Sequence, residues 1–270
     1  MNMRFLLTGL VVCVSLAALA GKPLTESTFT EIIKEAKVVA ASTKTATPAR
    51  TNEVFRVPDL VRTGPDSRVE MTAPDKTITR IGANTVFTFE PVERIIHLEK
   101  GSVLFHSPAG AGGGTIKYRG TAAAVLGTTL ICAVLLDGSF KTLVLEGQGQ
   151  VTLRNGRSVT LSAGEMVIVR PQGDNFGPVE IFNLERLVSH LLLVVGFSHT
   201  LSSLPLITAA IQLQNEQTSA GKLGHFTPWQ VAGYGLDLIA TNFESMNSLE
   251  LLHFIEFIDH TREAVSPFRP

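Results

Sequence analysis

The chain has 270 residues, which is enough for one large domain or two modest ones. Its 23 lysines and arginines nearly balance its 24 aspartates and glutamates, so the net charge is -1 at pH 7. The basic residues are scattered rather than clustered, and this excludes a charge-driven affinity for nucleic acid or acidic lipid. We therefore expect no nucleic-acid partner.

The first twenty residues have the pattern of a secretory signal peptide. Arg4 supplies a positive charge, residues 5–16 form an apolar run, and Ala18-Leu19-Ala20 fits the small-residue rule for cleavage. The apolar run is too short for a firm membrane span, so we expect no stable span in the mature chain. The sequence thus predicts a signal peptide over residues 1–20 and an exported protein, periplasmic or extracellular.

The number of cysteines indicates a fold that is stabilised by its apolar core and not by disulfides. Cys13 belongs to the predicted leader, so the mature chain would keep Cys132 alone and could form no internal disulfide. Cys132 lies within residues 130–136, the most apolar predicted strand. We expect a buried, inert thiol.

Residues 21–51 are predicted to hold an N-terminal strand and a linker. Within residues 31–41, Val38-Val39 favours a strand over a short helix. Residues 43–51, rich in threonine and alanine, are predicted as a loop.

From residue 52 to residue 172, turn residues recur about every ten positions, which is typical of a domain built of short strands. The runs that we predict as strands are residues 53–57, 67–72, 77–81, 85–89, 94–98, 102–105, 115–118, 122–126, 130–136, 139–146, 151–154, 158–161 and 165–169. The pattern predicts a mainly β fold: a short-strand antiparallel domain, either a sandwich or roll or a solenoid.

One of these strands has an alternating pattern. Val69 and Met71 alternate with polar residues at positions 68, 70 and 72. This period of two predicts that one face of the strand contacts a core and the other contacts water.

Turn chemistry predicts how the strands connect. Asp137-Gly138 separates two β-prone runs and predicts a hairpin, and Asn155-Gly156 predicts a second hairpin with a type I′ turn. Lys100-Gly101 is predicted as a turn between two strands. Pro74-Asp75-Lys76 has the composition of a turn, because proline presets its own dihedral and aspartate bonds its own backbone.

Residues 179–270 are predicted to be an α-helical C-terminal region. Asn183 is a candidate cap for a helix over residues 184–195, and Pro205 suits the first position of a helix that Gly221 ends. Thr227-Pro228 is predicted to start another helix, and Asn247-Ser248 to cap a last one over residues 249–262. The apolar run 187–197 would span only about half a bilayer core as a helix, so we expect it to pack against the β domain or a partner.

Two patterns could indicate a ligand site, and both have simpler explanations. Residues 110–117 are rich in glycine but lack the Gly-Lys-Ser/Thr ending of a phosphate-binding loop and precede a strand, so we expect a flexible connection. His253, Glu256, His260 and Glu263 share a helix face, yet a polar face opposite apolar residues explains their spacing. We therefore predict no metal site and no cofactor.

The sequence also lacks the features of a catalytic centre. No Gly-x-Ser-x-Gly elbow occurs. His97 and His106 lie on neighbouring predicted strands, and we expect both to be structural. We predict no catalytic residues and no enzyme activity.

Six short motifs follow one another along the β domain. They are Leu60–Gly64 with Asp66–Glu70, Pro74–Thr77 with Ile81–Thr85, Leu98–Ser102, Gly127-Thr128, Val144–Gly147 and Leu161–Glu165. Leu130 stands where the fourth motif usually has an aromatic residue. The β domain thus resembles the FecR domain, the periplasmic signalling module of bacterial iron-uptake regulators and of many exported proteins.

This resemblance implies a role in sensing, interaction or scaffolding at the cell envelope. The regulator type carries a cytoplasmic domain that holds a sigma factor, followed by a membrane helix, and only residues 1–4 precede the apolar run here. We therefore expect an exported non-enzymatic protein that binds an envelope protein through its helical region or its sheet edges. The alternatives are a FecR-type regulator in anti-sigma signal transduction and an envelope carbohydrate-binding protein or hydrolase; one tryptophan and two tyrosines offer little for stacking on sugars.

Overall fold

The computed structural model describes residues 23–90 and 93–239, apart from the side chains of Trp229 and Gln230. The predicted signal peptide, the predicted helix over residues 249–262 and its candidate metal ligands lie outside the described residues. These ligands are His253, Glu256, His260 and Glu263.

The described part of the chain is mostly β, with helices near its C-terminal end. Its strands are β1 Glu26–Ile33, β2 Ala36–Val39, β3 Ala46–Pro48, β4 Val54–Arg56, β5 Leu60–Thr63, β6 Arg68–Thr72, β7 Ile78–Ile81, β8 Val86–Phe89, β9 Ile95–His106, β10 Gly114–Tyr118, β11 Thr121–Val125, β12 Thr129–Val134, β13 Phe140–Glu146, β14 Gln148–Thr152, β15 Ser158–Ser162, β16 Glu165–Val169 and β17 Glu180–Ile181. Its helices are α1 Leu184–His190, α2 Leu192–Val195, α3 Leu204–Ser219 and α4 Trp229–Gly233.

The strands form two sheets that share β9. Sheet A has the order β4-β1-β6-β7-β9-β12-β13-β16-β17, and sheet B has the order β3-β2-β5-β8-β9-β10-β11-β14-β15. All these pairs are antiparallel except β9 with β10. The sheets pack face to face around one apolar core, to which sheet A contributes Val69 and Met71 and sheet B contributes Val61 and Phe87. The mainly β, antiparallel prediction is confirmed.

Strand β9 corrects the prediction of a turn at Lys100-Gly101. The chain does not reverse there: residues 95–106 form one strand, which pairs with β8 in sheet B and then with β12 in sheet A. Gly101 has a φ of +84°, and a Cβ atom at this position would lie 2.6 Å from the Cα atom of Thr85. The glycine therefore bends the strand and carries it from one sheet into the other.

The N-terminal residues are more strand-rich than their sequence predicts. The predicted strand is confirmed as β2. A further strand, β1, comes before it, and the two are joined by a turn in which Lys34 has a φ of 63°. The prediction of a loop over residues 43–51 is wrong in part, because Ala46–Pro48 pairs with β2. Local composition missed this strand, since an edge strand of three residues depends on its neighbour for its hydrogen bonds.

The two predicted hairpins exist, and one turn type is different. β12 pairs with β13 across Asp137-Gly138, and β14 pairs with β15 across Asn155-Gly156. A type I′ turn would need positive φ at both Asn155 and Gly156, and only Gly156 has it, at 84°. The Gly156 N–H donates to Leu153 O at 2.9 Å, so the reversal centres one residue earlier, with the glycine as its left-handed last residue.

The helices follow their predicted signals. Asn183 caps α1 by accepting a 2.7 Å hydrogen bond from Arg186 N, Pro205 lies at the start of α3, and α3 ends before Gly221. The helix predicted over residues 184–195 is interrupted at Leu191, which has extended backbone angles. No helix within residues 23–90 and 93–239 is long and apolar enough to cross a membrane.

A second apolar core lies between the helices and the outer face of sheet A. It joins Leu187 and Leu193 of the helices to Leu104, Ile131 and Leu143 of the strands. Leu187, Val188, Leu191, Leu193 and Val194 of the apolar run 187–197 are buried in this core, as one of the two predicted alternatives requires, whereas Val195 is 46% exposed. This core draws residues from both sides of the predicted boundary between 52–172 and 179–270, and that boundary stays a prediction.

Candidate interaction surfaces

The outer face of sheet A is covered by the helical region, and a buried ion pair connects the two. Arg80 on β7 is fully buried and donates to Glu70 on β6, with 2.7 Å between Arg80 Nη2 and Glu70 Oε2. The guanidinium also donates to the backbone oxygens of Leu193, Val194 and His199, at 3.1, 2.9 and 2.6 Å. Every nitrogen of the guanidinium therefore has a partner, which a buried charge requires.

This ion pair corrects the prediction that the polar face of residues 67–72 contacts water. Glu70 is 5% exposed, and its Oε1 accepts a 2.7 Å hydrogen bond from Thr30. The alternation of side chains is as predicted, but both faces of the strand are covered, one by the central core and the other by the helical region.

A second polar group joins the sheet to the start of α3. Thr129 Oγ1 lies 2.7 Å from Glu146 Oε1, 2.8 Å from Ser203 Oγ and 2.9 Å from His106 Nδ1, and all four residues are buried. The Thr129 hydroxyl is thus within hydrogen-bond distance of the Glu146 carboxylate, the Ser203 hydroxyl and the His106 ring. The arrangement satisfies its own donors and acceptors and leaves no exposed nucleophile.

The end of the described helical region is joined to the sheet by a lysine. Lys141 on β13 is fully buried, and its Nζ donates to Val231 O at 2.8 Å, Ala232 O at 2.7 Å and Tyr234 O at 2.6 Å. Burial lowers the pKa of Lys141 to about 7, and the negative charge of Glu180 opposes this shift.

The motifs and turn signals of the sequence do not single out Arg80 or Lys141. A signal for them was present, since each is the one basic residue of its strand. A buried basic residue needs acceptors within reach, and backbone carbonyl groups of the helical region supply acceptors to both residues.

The outer face of sheet B differs, because its side chains are half-buried or exposed. Cross-strand pairing aligns Lys117, Ala122, Thr152 and Ser158 in one row and Thr115, Ala124, Gln150 and Thr160 in the next. Residues paired directly across strands present their side chains on the same face. These eight residues, which we call the sheet B platform, form a face of small and mostly uncharged side chains.

The edge of this sheet beside the platform is β15. Ser158, Thr160 and Ser162 are exposed along it. The Ser162 N–H donates to Glu165 Oε2 at 2.7 Å, which occupies one backbone donor near the end of the strand. The other edge strand, β3, contains Pro48, which cannot donate a backbone hydrogen bond.

The glycine-rich loop borders an open cavity. The cavity has a volume of about 640 Å³ and is lined by Pro23, Leu24, Thr25, Glu26, Ala73, Pro74, Asp75, Gly110 and Ala111. Asp75 is engaged elsewhere, because its Oδ2 accepts a 2.6 Å hydrogen bond from Arg94 Nη1. Strand β10 rather than a helix follows the loop, as expected, so this loop places no helix N-terminus at the cavity.

The remaining predicted features have clear positions. Cys132 is fully buried, with its Sγ 3.7 Å from Thr142 Oγ1, and burial raises its pKa to about 12. The prediction of a buried thiol is confirmed. His97 lies on the outer face of sheet B and pairs with Glu90. Within the described residues, no group of three or more histidine, cysteine, aspartate or glutamate residues could hold a metal ion.

Comparison with known proteins identifies part of the β domain. Residues 59–151 match a family model described as FecR protein, which confirms the resemblance seen in the motifs, although the motif at residues 161–165 lies beyond the match. No curated protein matches the chain.

The similar solved structures include two crystal structures from Parabacteroides distasonis ATCC 8503 that are provisionally assigned as an anti-sigma factor. Their TM-scores are 0.39 and 0.38, and each is 20% identical in sequence. Each alignment covers 44% of this chain and 57% of the other, so this chain spans less than two thirds of their length.

Proposed function

We propose, from the FecR domain that residues 59–151 form, that this protein is an exported, non-enzymatic protein that acts by binding another protein of the cell envelope. We place the contact on the sheet B platform and the adjoining edge of β15. The role would be one of sensing or scaffolding, as the FecR resemblance implies.

The observation that carries this proposal is the difference between the two outer sheet faces. The outer face of sheet A is occupied by the helical region of the same chain through Arg80, Thr129 and Lys141. The side chains of the sheet B platform are half-buried or exposed, and five of its eight residues lie within residues 59–151. Small, mostly uncharged side chains on a regular sheet suit contact with another flat protein surface, because little side-chain entropy is lost on binding.

The export part of the proposal rests on the sequence of residues 1–20 and has its own test. Intact-mass measurement of the protein recovered from its native host should show a chain that begins at Gly21. A chain that still begins at Met1 would contradict export with cleavage.

The contact surface can be tested by photo-crosslinking in the native host. Benzoylphenylalanine placed at Gln150 on the platform should give a discrete protein adduct, and the same group at Thr208, exposed on α3, should not. Adducts from Thr208 alone would move the contact to the helical region, and no adduct from either position would contradict the proposal.

The exposed face of α3 is a second candidate contact surface, and the same crosslinking test distinguishes it from the sheet B platform. Leu206 and Leu213 on α3 are each 55% exposed and lie seven residues apart, so they share one face of the helix. The helical region was one of the two contacts expected from the sequence. A FecR-type regulator in signal transduction is the second candidate function, and recovery of a sigma factor in either adduct would favour it.

A further inference from the structure

Residues 227–239 form a short segment that crosses the outer face of sheet A, and we call it the latch. The Thr227 N–H donates to Ile181 O at 2.7 Å at its start, and the Ile239 N–H donates to His190 O at 2.8 Å at its end. Val231 and Ala232 of α4 are buried in the second apolar core. The latch is therefore a distinct element between these two backbone contacts.

Two charges lie along the latch without pairing with an opposite charge: Lys141, which is fully buried, and Asp237, which is half-buried. Lys141 donates only to the three latch carbonyls, and Asp237 of the latch accepts a 2.6 Å hydrogen bond from the Ala83 N–H. Within the described residues, neither charge has an ion-pair partner within 4.0 Å. Burial lowers the pKa of Lys141 and raises the pKa of Asp237, so the closed latch disfavours both charged forms.

The latch fits closely onto a turn of the FecR domain. A Cβ atom on Gly82 would overlap the Asp237 carboxylate, so the glycine permits the close approach. Asn84 in the same turn has a φ of 52°, and the turn presents the Ala83 N–H outward to the latch. Gly235 has a φ of 78°, and a Cβ atom at this position would overlap Leu135 Cδ2.

The attachment of helices α1 to α3 rests on different contacts. Leu187, Leu191, Leu193 and Ile207 are fully or almost fully buried in the second core. The charge that joins this part to the sheet, Arg80, is paired with Glu70. A buried charge without an opposite partner costs more than a paired one, because no Coulomb attraction offsets its loss of hydration.

We propose that the latch opens as a unit while α1, α2 and α3 stay packed, and that opening uncovers Lys141 and the Gly82–Asn84 turn on the outer face of sheet A. Opening exposes both charges to water. It breaks the backbone hydrogen bonds at the two ends of the latch and the bond from Leu192 N–H to Asp237 O, and it removes the apolar contacts of Val231, Ala232, Leu236 and Leu238. The elements that move in proteins are drawn from such weakly attached segments. The latch is thus a conformational device built into the helical region, and it requires no assumption about the partner.

Amide hydrogen exchange of the full chain, followed by mass spectrometry, tests this directly. Peptides that cover residues 227–239 should exchange at least about tenfold faster than peptides from α1 and α3 at neutral pH, which corresponds to a difference of about 1.4 kcal/mol in opening. Exchange of the latch in step with α1 and α3 would overturn the proposal.

Two substitutions at one position separate the roles of the charge and the hydrogen bond. Asp237→Asn keeps an acceptor for Ala83 N–H without the charge, so the latch should exchange more slowly than in the wild type. Asp237→Ala removes the acceptor as well and should exchange about tenfold faster than the Asn variant. Asp174→Asn, at an exposed loop position, should leave latch exchange unchanged. Faster exchange in the Asp237→Asn variant than in the wild type would overturn the account of the buried charge.

Discussion

Replacement of Arg80 by methionine should cost more stability than most single changes in this chain. Arg80 is fully buried, and its removal leaves the Glu70 carboxylate, 5% exposed, with the Thr30 hydroxyl as its remaining side-chain partner. It also removes the donors to the carbonyls of Leu193, Val194 and His199. Breaking a buried ion pair from one side costs about 3–5 kcal/mol, because an uncompensated charge remains. For a chain of this size that corresponds to a fall of roughly 6–20 °C in the melting temperature.

The measurement is chemical denaturation of the full chain, followed by circular dichroism and compared with two further variants. Arg154→Met breaks an exposed pair with Asp174 and should change the free energy of unfolding by less than about 1 kcal/mol. The double variant Arg80→Met with Glu70→Met should recover a large part of the loss, since no charge is then left buried. A cost below about 1 kcal/mol for Arg80→Met, or no recovery in the double variant, would refute the reasoning.

Three further outcomes follow from single positions. Cys132 should react with a thiol reagent only after denaturation, because it is fully buried and its pKa is about 12; rapid labelling of the native protein would contradict this. Gly101→Ala should destabilise the fold by at least about 2 kcal/mol, because the residue has a φ of +84° and the new Cβ atom would lie 2.6 Å from the Cα atom of Thr85. Gly156→Ala has the same φ but open space around the new Cβ atom, so it should cost about 1 kcal/mol in the same denaturation experiments. The pKa of Lys141 is about 7 in the folded chain and 10.5 when the side chain is free. Between these two values the unfolded chain binds more protons than the folded chain. The free energy of unfolding should therefore rise from pH 7 to pH 10.5 by up to about 1.4 kcal/mol per pH unit. Lys141→Met should remove that slope, and an identical pH profile in both proteins would argue against a lowered pKa of Lys141 in the folded chain.

Much of the fold could be predicted because its signals are local. Asp137-Gly138 reverses the chain whatever surrounds it, and Asn183 supplies the cap for α1 from its own side chain. The burial of Cys132 follows from the apolar run around it, since such a run has no other place in a soluble domain. The FecR motifs could be recognised in the sequence for the same reason, because most of them are turns whose backbone geometry requires glycine, asparagine or aspartate.

Other features depend on which elements meet, and only the tertiary structure decided them. Gly101 is compatible with a turn or with a bend within a strand. The bend is formed because β8 pairs with β9 before this glycine and β12 pairs with β9 from it onward, which keeps the chain extended. Glu70 follows the alternating pattern of an exposed face, yet the helices return over that face about 120 residues later and bury it against Arg80. Lys141 is a lone charge in a strand until the latch supplies three carbonyl groups. A side chain's periodicity tells which face it occupies, but the cover on that face comes from distant residues, and the free energy of burying a charge depends on that cover.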